Sequence, residues 1–159
     1  MMERAPLKSP GVRFPPPLLF VGGLAVGWLL DRRVRALPLV GDGDVIATVG
    51  TALLAVGLSL MAWGMITFRL ARTAIVPMRG ASRLVERGPY RFTRNPMYTG
   101  MTLAYLGVAA ILNSAWPLLA LPIVLALLVR LVIRREEAYL LDAFGAEYSA
   151  YRARVRRWL

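Results

Sequence analysis

The chain has no histidine and no cysteine. Those two absences remove disulfides, thiolate nucleophiles, the commonest metal ligands and the usual general base at neutral pH. Lys8 is the only lysine, which argues against Schiff-base chemistry. Acidic residues are also few, 9 against 20 Lys and Arg, for a formal net charge of +11. Any acid, base or orienting polar group must therefore be Asp, Glu, Tyr, Asn, Ser, Thr or Arg, and no metal is expected.

What the chain has in abundance is apolar surface. Of 159 residues, 57% are hydrophobic, too apolar and too short for a soluble multidomain protein, so a single all-α integral membrane domain is the expectation. Four apolar runs can be marked: Leu18 to Leu30, Val45 to Phe68, Met97 to Leu112 and Leu118 to Ile133. The second is uncharged and amply long for a bilayer. The last two are separated by Asn113-Ser114-Ala115-Trp116-Pro117, a turn with an interfacial Trp and a Pro suited to a helix start, which predicts a tight helical hairpin. The first run follows Lys8 and Arg13 as a signal peptide would, but no small-residue cleavage site follows it and Asp31-Arg32-Arg33 comes directly after, so an uncleaved helix is expected. Gly23 and Gly27, and Gly100 and Ala104, have the four-residue spacing that lets membrane helices approach closely; glycine and alanine are also simply frequent in such helices.

The arginines set the orientation. Seven lie between Arg69 and Arg94 (Arg69, Arg72, Arg79, Arg83, Arg87, Arg91, Arg94) and six follow Ile133 (Arg134, Arg135, Arg152, Arg154, Arg156, Arg157), whereas Arg32, Arg33 and Arg35 are diluted by Asp31, Asp42 and Asp44 and the Asn113 turn has none. With four spans, both rich segments fall on one side, which the positive-inside rule makes cytoplasmic, as it does both termini. On a chain this apolar, basicity reads as topology and contact with anionic membrane lipid, not as nucleic-acid binding.

Between Leu84 and Gly100 the chain reads Leu-Val-Glu-Arg-Gly-Pro-Tyr-Arg-Phe-Thr-Arg-Asn-Pro-Met-Tyr-Thr-Gly, a polar, turn-forming and aromatic run between two apolar ones. Arg87, Arg91, Arg94, Asn95, Tyr90 and Tyr98 at a bilayer edge are costly to organise unless something anionic or polar is held there. Beyond the last apolar run, Arg134-Arg135-Glu136-Glu137 opens a stretch in which Tyr139, Leu140, Phe144, Tyr148 and Tyr151 recur mostly three to four apart. That pattern predicts an amphipathic interfacial helix or helix pair, broken near Gly145. Glu136 and Glu137, close to Arg130, Arg134 and Arg135, can equally be an ion-pair cluster that ends a helix. In the same way Arg94 can be a snorkelling arginine on lipid phosphate, Tyr98 an interfacial anchor and Gly100 a packing contact.

Gly88-Pro89-Tyr90, then Arg94-Asn95-Pro96-Met97-Tyr98-Thr99-Gly100, then Glu136-Glu137 followed by Phe144-Gly145, Tyr148 and Tyr151, resembles the membrane methyltransferases of the isoprenylcysteine carboxyl methyltransferase and phospholipid N-methyltransferase family. Thr73 to Pro77 also resembles that family's loop before the motif. The resemblance runs from about Arg69 to the C-terminus and includes two separated motifs in the right order. It implies S-adenosylmethionine bound at the cytosolic face between the Arg-x-Pro-x-Tyr-x-Gly segment and the twin glutamates, with a lipophilic acceptor entering from the bilayer. Many members have His where this chain has Asn95, so a proton-transfer role does not carry over to that position; its amide can still donate and accept hydrogen bonds, to adenosine or to backbone.

The residues are chemically compatible with that cofactor, whose methionine end bears an ammonium, a carboxylate and a sulfonium. Glu136 and Glu137 suit the ammonium or the ribose hydroxyls, Arg94 the carboxylate, and Tyr90 or Tyr98 the adenine or sulfonium. Gly100 permits close backbone approach, and Pro96 fits the first position of the third helix. Arg94 and Glu137 are the residues expected to act in the reaction itself.

Two other functions are compatible with parts of the pattern. Sterol-reductase-like membrane enzymes, which use NADPH, share an Arg-His-Pro-Asn-Tyr-x-Gly-Glu type segment; here Met97 and Met101 replace its Asn and Glu, and Glu136-Glu137 suits the methyltransferases better. A non-catalytic lipid-binding membrane protein would have had less reason to keep Arg94, Tyr98, Gly100, Glu136 and Glu137 together. The apolar spans do not name the methyl acceptor.

Overall fold

The four apolar runs become helices that alternate in direction. The structure, a computed structural model, describes residues 15–71 and 83–158. Helix α1 spans Pro17–Arg33, α2 Gly43–Leu70, α3 Pro96–Ile111 and α4 Trp116–Leu128; α4 runs on without a break through a π-helical turn, Val129–Ile133, into α5, Arg134–Phe144. A 3₁₀ turn, Gly88–Arg91, precedes α3, and α6, Ala146–Arg154, follows α5. There is no strand among the described residues, so the all-α expectation holds. Lys8, Arg13, Arg72, Arg79 and Thr73 to Pro77 lie outside the described residues.

Local chemistry accounts for most boundaries. Asp42 caps α2, its carboxylate accepting from the N–H groups of Asp44 (2.9 Å) and Val45 (3.2 Å). Pro96 and Pro117 stand in the first turns of α3 and α4, where a missing N–H costs nothing. Gly145 separates α5 from α6 with φ +51°, a left-handed conformation that glycine adopts without strain. The hairpin at Asn113–Pro117 and the break near Gly145 are thus where the residue pattern puts them.

Two antiparallel pairs build the bundle. Along α2, glycines recur every seven residues at Gly50, Gly57 and Gly64, and this seam receives α3: a Cβ on Gly57 would stand 2.5 Å from the Gly100 carbonyl oxygen, and one on Gly50 2.8 Å from that of Gly107. Backbone meets backbone, which is how membrane helices gain contact without a hydrophobic driving force between them. Helix α1 packs on α4 through Gly23, against Val124 and Tyr105, and Gly27, against Pro117. The Gly23 and Gly27 spacing does mark a helix contact. Phe20, Tyr98, Tyr105, Val124, Leu128, Val132 and Ile133 form the buried cluster between the pairs.

Among the described residues two helices are long and apolar enough to cross a membrane, Gly43–Leu70 and the continuous Trp116–Phe144, whose apolar part ends at Ile133. Helices α1 and α3, at 17 and 16 residues, are shorter than the roughly 20 that a full span takes. Large apolar side chains face outward on α1, α2 and α4, among them Val21, Val56, Leu119 and Ile123.

Candidate functional site

The antiparallel order brings four chain segments together at one end of the bundle: the C-terminus of α2, the corner before α3, the start of α5, and α6 with the tail after it. Tyr90, in the 3₁₀ turn, is buried edge-on against Phe68 of α2, with ring centroids 5.0 Å apart. Burial is the main cause raising the pKa of its phenol, with the nearby Tyr151 and Glu136 adding to it. The Tyr90 carbonyl accepts a hydrogen bond from the Tyr151 hydroxyl (2.8 Å). The aromatic face of α6 therefore packs on the corner and is not spent on the membrane surface alone: Tyr148 and Tyr151 are both buried, and the Tyr148 hydroxyl accepts from Nη1 of Arg94 (3.2 Å).

Arg94 and Glu137, 43 positions apart in the chain, form an ion pair of 3.1 Å with side chains only 10% and 13% exposed. Arg157 reaches the same carboxylate from the tail with two donors, Nε to Oε1 (2.9 Å) and Nη2 to Oε2 (2.6 Å). Its hydrogen bond to Glu137 is the leading cause raising the Arg157 pKa. Glu137 is thus fully engaged by two guanidinium groups. The Nε of Arg94 is buried with no hydrogen-bond partner, a costly arrangement that calls for a ligand or a role.

Glu136 differs from its neighbour. Its Oε1 accepts from the Tyr98 hydroxyl at 2.7 Å, but among the described residues no cation lies within ion-pair distance of it. Arg134 to Phe144 lies beyond the apolar run, so this group belongs to the polar end. Burial raises its pKa to about 7, with the Tyr98 hydrogen bond opposing the shift and the Glu137 charge adding to it. A partly buried carboxylate short of a positive partner among the described residues, at the same end of the bundle as an orphaned guanidinium N–H, is an arrangement that a zwitterionic or cationic ligand would complete.

The tail supplies a second, backbone-mediated link. The Arg94 N–H donates to the Arg156 carbonyl (2.9 Å), and the Arg157 carbonyl accepts from the Thr93 hydroxyl and the Asn95 side-chain amide, both at 3.0 Å. Asn95 therefore spends its side-chain donor on backbone, one of the two uses its amide allows. Pro96 is buried as the first residue of α3. Gly100 stands in the α2–α3 seam, where its close approach serves helix packing: an added Cβ would lie 2.6 Å from the Gly57 carbonyl oxygen and 2.7 Å from Met61 Cγ. So Tyr90, Arg94, Asn95, Tyr98, Glu136 and Glu137 converge, with Pro96 fixing the chain and Gly100 holding the helix behind them.

Sequence reasoning missed Arg157 and Thr93. Arg157 entered only as part of a basic tail, and no local pattern ties it to a glutamate 20 positions earlier.

A family model described as phospholipid methyltransferase matches residues 45–147. The cobalt-zinc-cadmium resistance protein CzcN of Cupriavidus metallidurans is 32% identical over 114 residues, 72% of this chain and 50% of that protein. The protein-S-isoprenylcysteine O-methyltransferase of Schizosaccharomyces pombe is 36% identical over 72 residues, 45% of this chain and 30% of that enzyme. An uncharacterized protein of Haemophilus influenzae is 36% identical over 63 residues, 40% of this chain and the whole of that one. The chain thus spans half or less of the first two relatives. No solved structure matches it.

Proposed function

Because the chain belongs to the phospholipid methyltransferase family, we propose that it transfers a methyl group from S-adenosylmethionine to a lipophilic acceptor, the carboxylate or amine of a prenylated or phospholipid-like molecule. We place the reaction at the cytosolic face of a bacterial inner membrane that all four bundle helices enter, with both termini cytoplasmic. The outward apolar side chains on α1, α2 and α4 and the gathering of the arginine-rich segments at one end of an alternating bundle support that placement.

The observation on which this reading rests is the meeting of Arg94, Tyr98, Glu136 and Glu137 in one largely enclosed cluster. S-adenosylmethionine, when bound, supplies an electrophilic methyl group on a cationic sulfur. Glu136, which has no cation partner among the described residues, is the group to hold the cofactor's ammonium, and the unused Nε of Arg94 is the donor for its carboxylate. Glu137 acts on Arg94: together with Tyr148 it fixes the guanidinium plane. Tyr98 orients Glu136 through its hydroxyl, and Tyr90 closes the wall.

No covalent enzyme intermediate is needed, which suits a chain without His or Cys. The protein positions and desolvates the reactants. A carboxylate acceptor needs no base; an amine acceptor must lose a proton, which passes to water or to a side chain not engaged with the cofactor. The test is transfer of labelled methyl from S-adenosylmethionine into a total lipid extract by the purified protein. A labelled lipid is the expected result. No labelled product, together with binding of NADPH and not of S-adenosylhomocysteine, would move the chain to reductase chemistry.

A further inference from the structure

A cavity of about 550 Å³, whose lining includes neither Arg94 nor the two glutamates, opens along the α4–α5 helix. Leu125, Ala126 and Val129 line its apolar part, Arg130 and Arg134 its polar part, and Trp158 of the tail closes its rim. The two arginines are four residues apart, so they project from the same side of the helix one turn from each other. Neither has an ion-pair partner among the described residues. Each is exposed, so they offer two uncommitted positive charges at the end of an apolar trough.

The position along the helix fits an amphiphile. The apolar run ends at Ile133 and charged residues begin at Arg134, so Arg130 and Arg134 straddle the level at which hydrocarbon gives way to headgroups. Outside the trough the same helix exposes Leu119, Ile123 and Leu127, a surface that suits acyl chains. The wall carrying Arg130 is the π-helical turn Val129–Ile133, an irregularity that recurs at functional positions in helices. An indole at the rim is the side chain favoured at this depth.

We propose that this groove is a binding site for an anionic phospholipid, its phosphate between Arg130 and Arg134 and the start of a chain on Leu125, Ala126 and Val129. The proposal rests on the membrane placement of α4 and is independent of methyl transfer, because it is tested without cofactor.

The test is binding of short-chain phosphatidylglycerol, phosphatidylcholine with the same chains, and inorganic phosphate to the detergent-solubilised full chain, read by native mass spectrometry. Phosphatidylglycerol should bind at least tenfold tighter than phosphatidylcholine, and phosphate at millimolar concentration should not displace it. Arg130→Gln with Arg134→Gln should remove that preference, whereas Arg33→Gln with Arg35→Gln, which removes the same charge at the opposite end of the bundle, should leave it intact. Ala126→Phe, which fills the trough and alters no charge, should weaken binding by a similar factor and serves if the double arginine variant does not fold. Equal binding of the two lipids, unchanged binding by both groove variants, or full displacement by free phosphate would overturn the proposal.

Discussion

The two ends of the bundle are both polar and both tied across distant segments, but they are built from different materials. At the α1–α2 and α3–α4 turns, backbone groups dominate. Asp31 accepts from the Ser114 hydroxyl (2.7 Å) and the Leu37 N–H (3.2 Å), Ala115 donates to the Leu37 carbonyl (2.8 Å), and the Trp116 indole donates to the Arg35 carbonyl (2.8 Å). One carboxylate is surrounded by neutral donors, which suffices to hold two turns together. The other end gathers Arg94, Arg157, Glu136, Glu137 and four tyrosines, keeps a buried guanidinium donor unpaired, and leaves one partly buried carboxylate without a cation among the described residues. Fully satisfied polar contacts serve the fold, and an excess of ionisable groups with loose ends serves a ligand.

Substitutions should separate the ends. The largest effect is expected for Arg94→Ala, which leaves Glu137, a side chain 13% exposed, with Arg157 as its one remaining cation among the described residues. Losing a nearly buried pair should cost about 3 kcal/mol of folding stability and lower methyl transfer by about a hundredfold or more; denaturant unfolding in detergent and a labelled-methyl assay measure the two.

Glu136→Gln should act on binding without that structural cost. Its hydrogen bond with Tyr98 can persist, and the desolvation of a buried charge is relieved, so stability should hold or rise. Affinity for S-adenosylhomocysteine should fall by about tenfold or more as a charge-assisted contact is lost.

Acidity should sharpen the difference further. A pKa of about 7 for Glu136 in the unliganded protein means that the carboxyl is largely protonated at pH 6, while an ammonium ligand requires it ionised. Binding must then expel a proton, and affinity should weaken by up to about tenfold per pH unit below 7, a trend that the Glu136→Gln protein should lack. The folded state shows the matching sign. With a folded pKa above the usual carboxylate range, Glu136 favours folding most below about pH 4.5, and this contribution is lost as pH rises toward 7.

The smallest effect belongs to the opposite end. Ser114→Ala removes one hydrogen bond to Asp31 and should cost about 1 kcal/mol of stability, with cofactor affinity unchanged. A loss of affinity there would mean that the two ends are not independent.

Much of this arrangement is legible in the residues because it is local. Apolar runs, the Asn113–Pro117 turn, Pro96 at a helix start and the Gly145 break each declare themselves within a few positions. The arginine-proline-tyrosine corner and the twin glutamates are legible as motifs, and their proximity follows once the helices alternate. Less visible is what joins residues far apart. Gly50, Gly57 and Gly64 repeat every seven residues, a signal present in the sequence that four-residue spacing overlooks. The grip of Arg157 on Glu137 has no such signal, because a tail residue's partner is decided by how the chain returns in space. The separate conditions of Glu136 and Glu137 are likewise invisible in the sequence, where they are two adjacent copies of one residue.

The central claim is that the partly buried Glu136, which has no cation partner among the described residues, holds the ammonium of a sulfonium cofactor or its product. Isothermal titration of S-adenosylhomocysteine into the unmodified and the Glu136→Gln proteins at pH 8 tests it most directly. Binding by the unmodified chain and at least tenfold weaker binding by the variant is the expected result; equal affinity in the two proteins, or no binding by either, would contradict it.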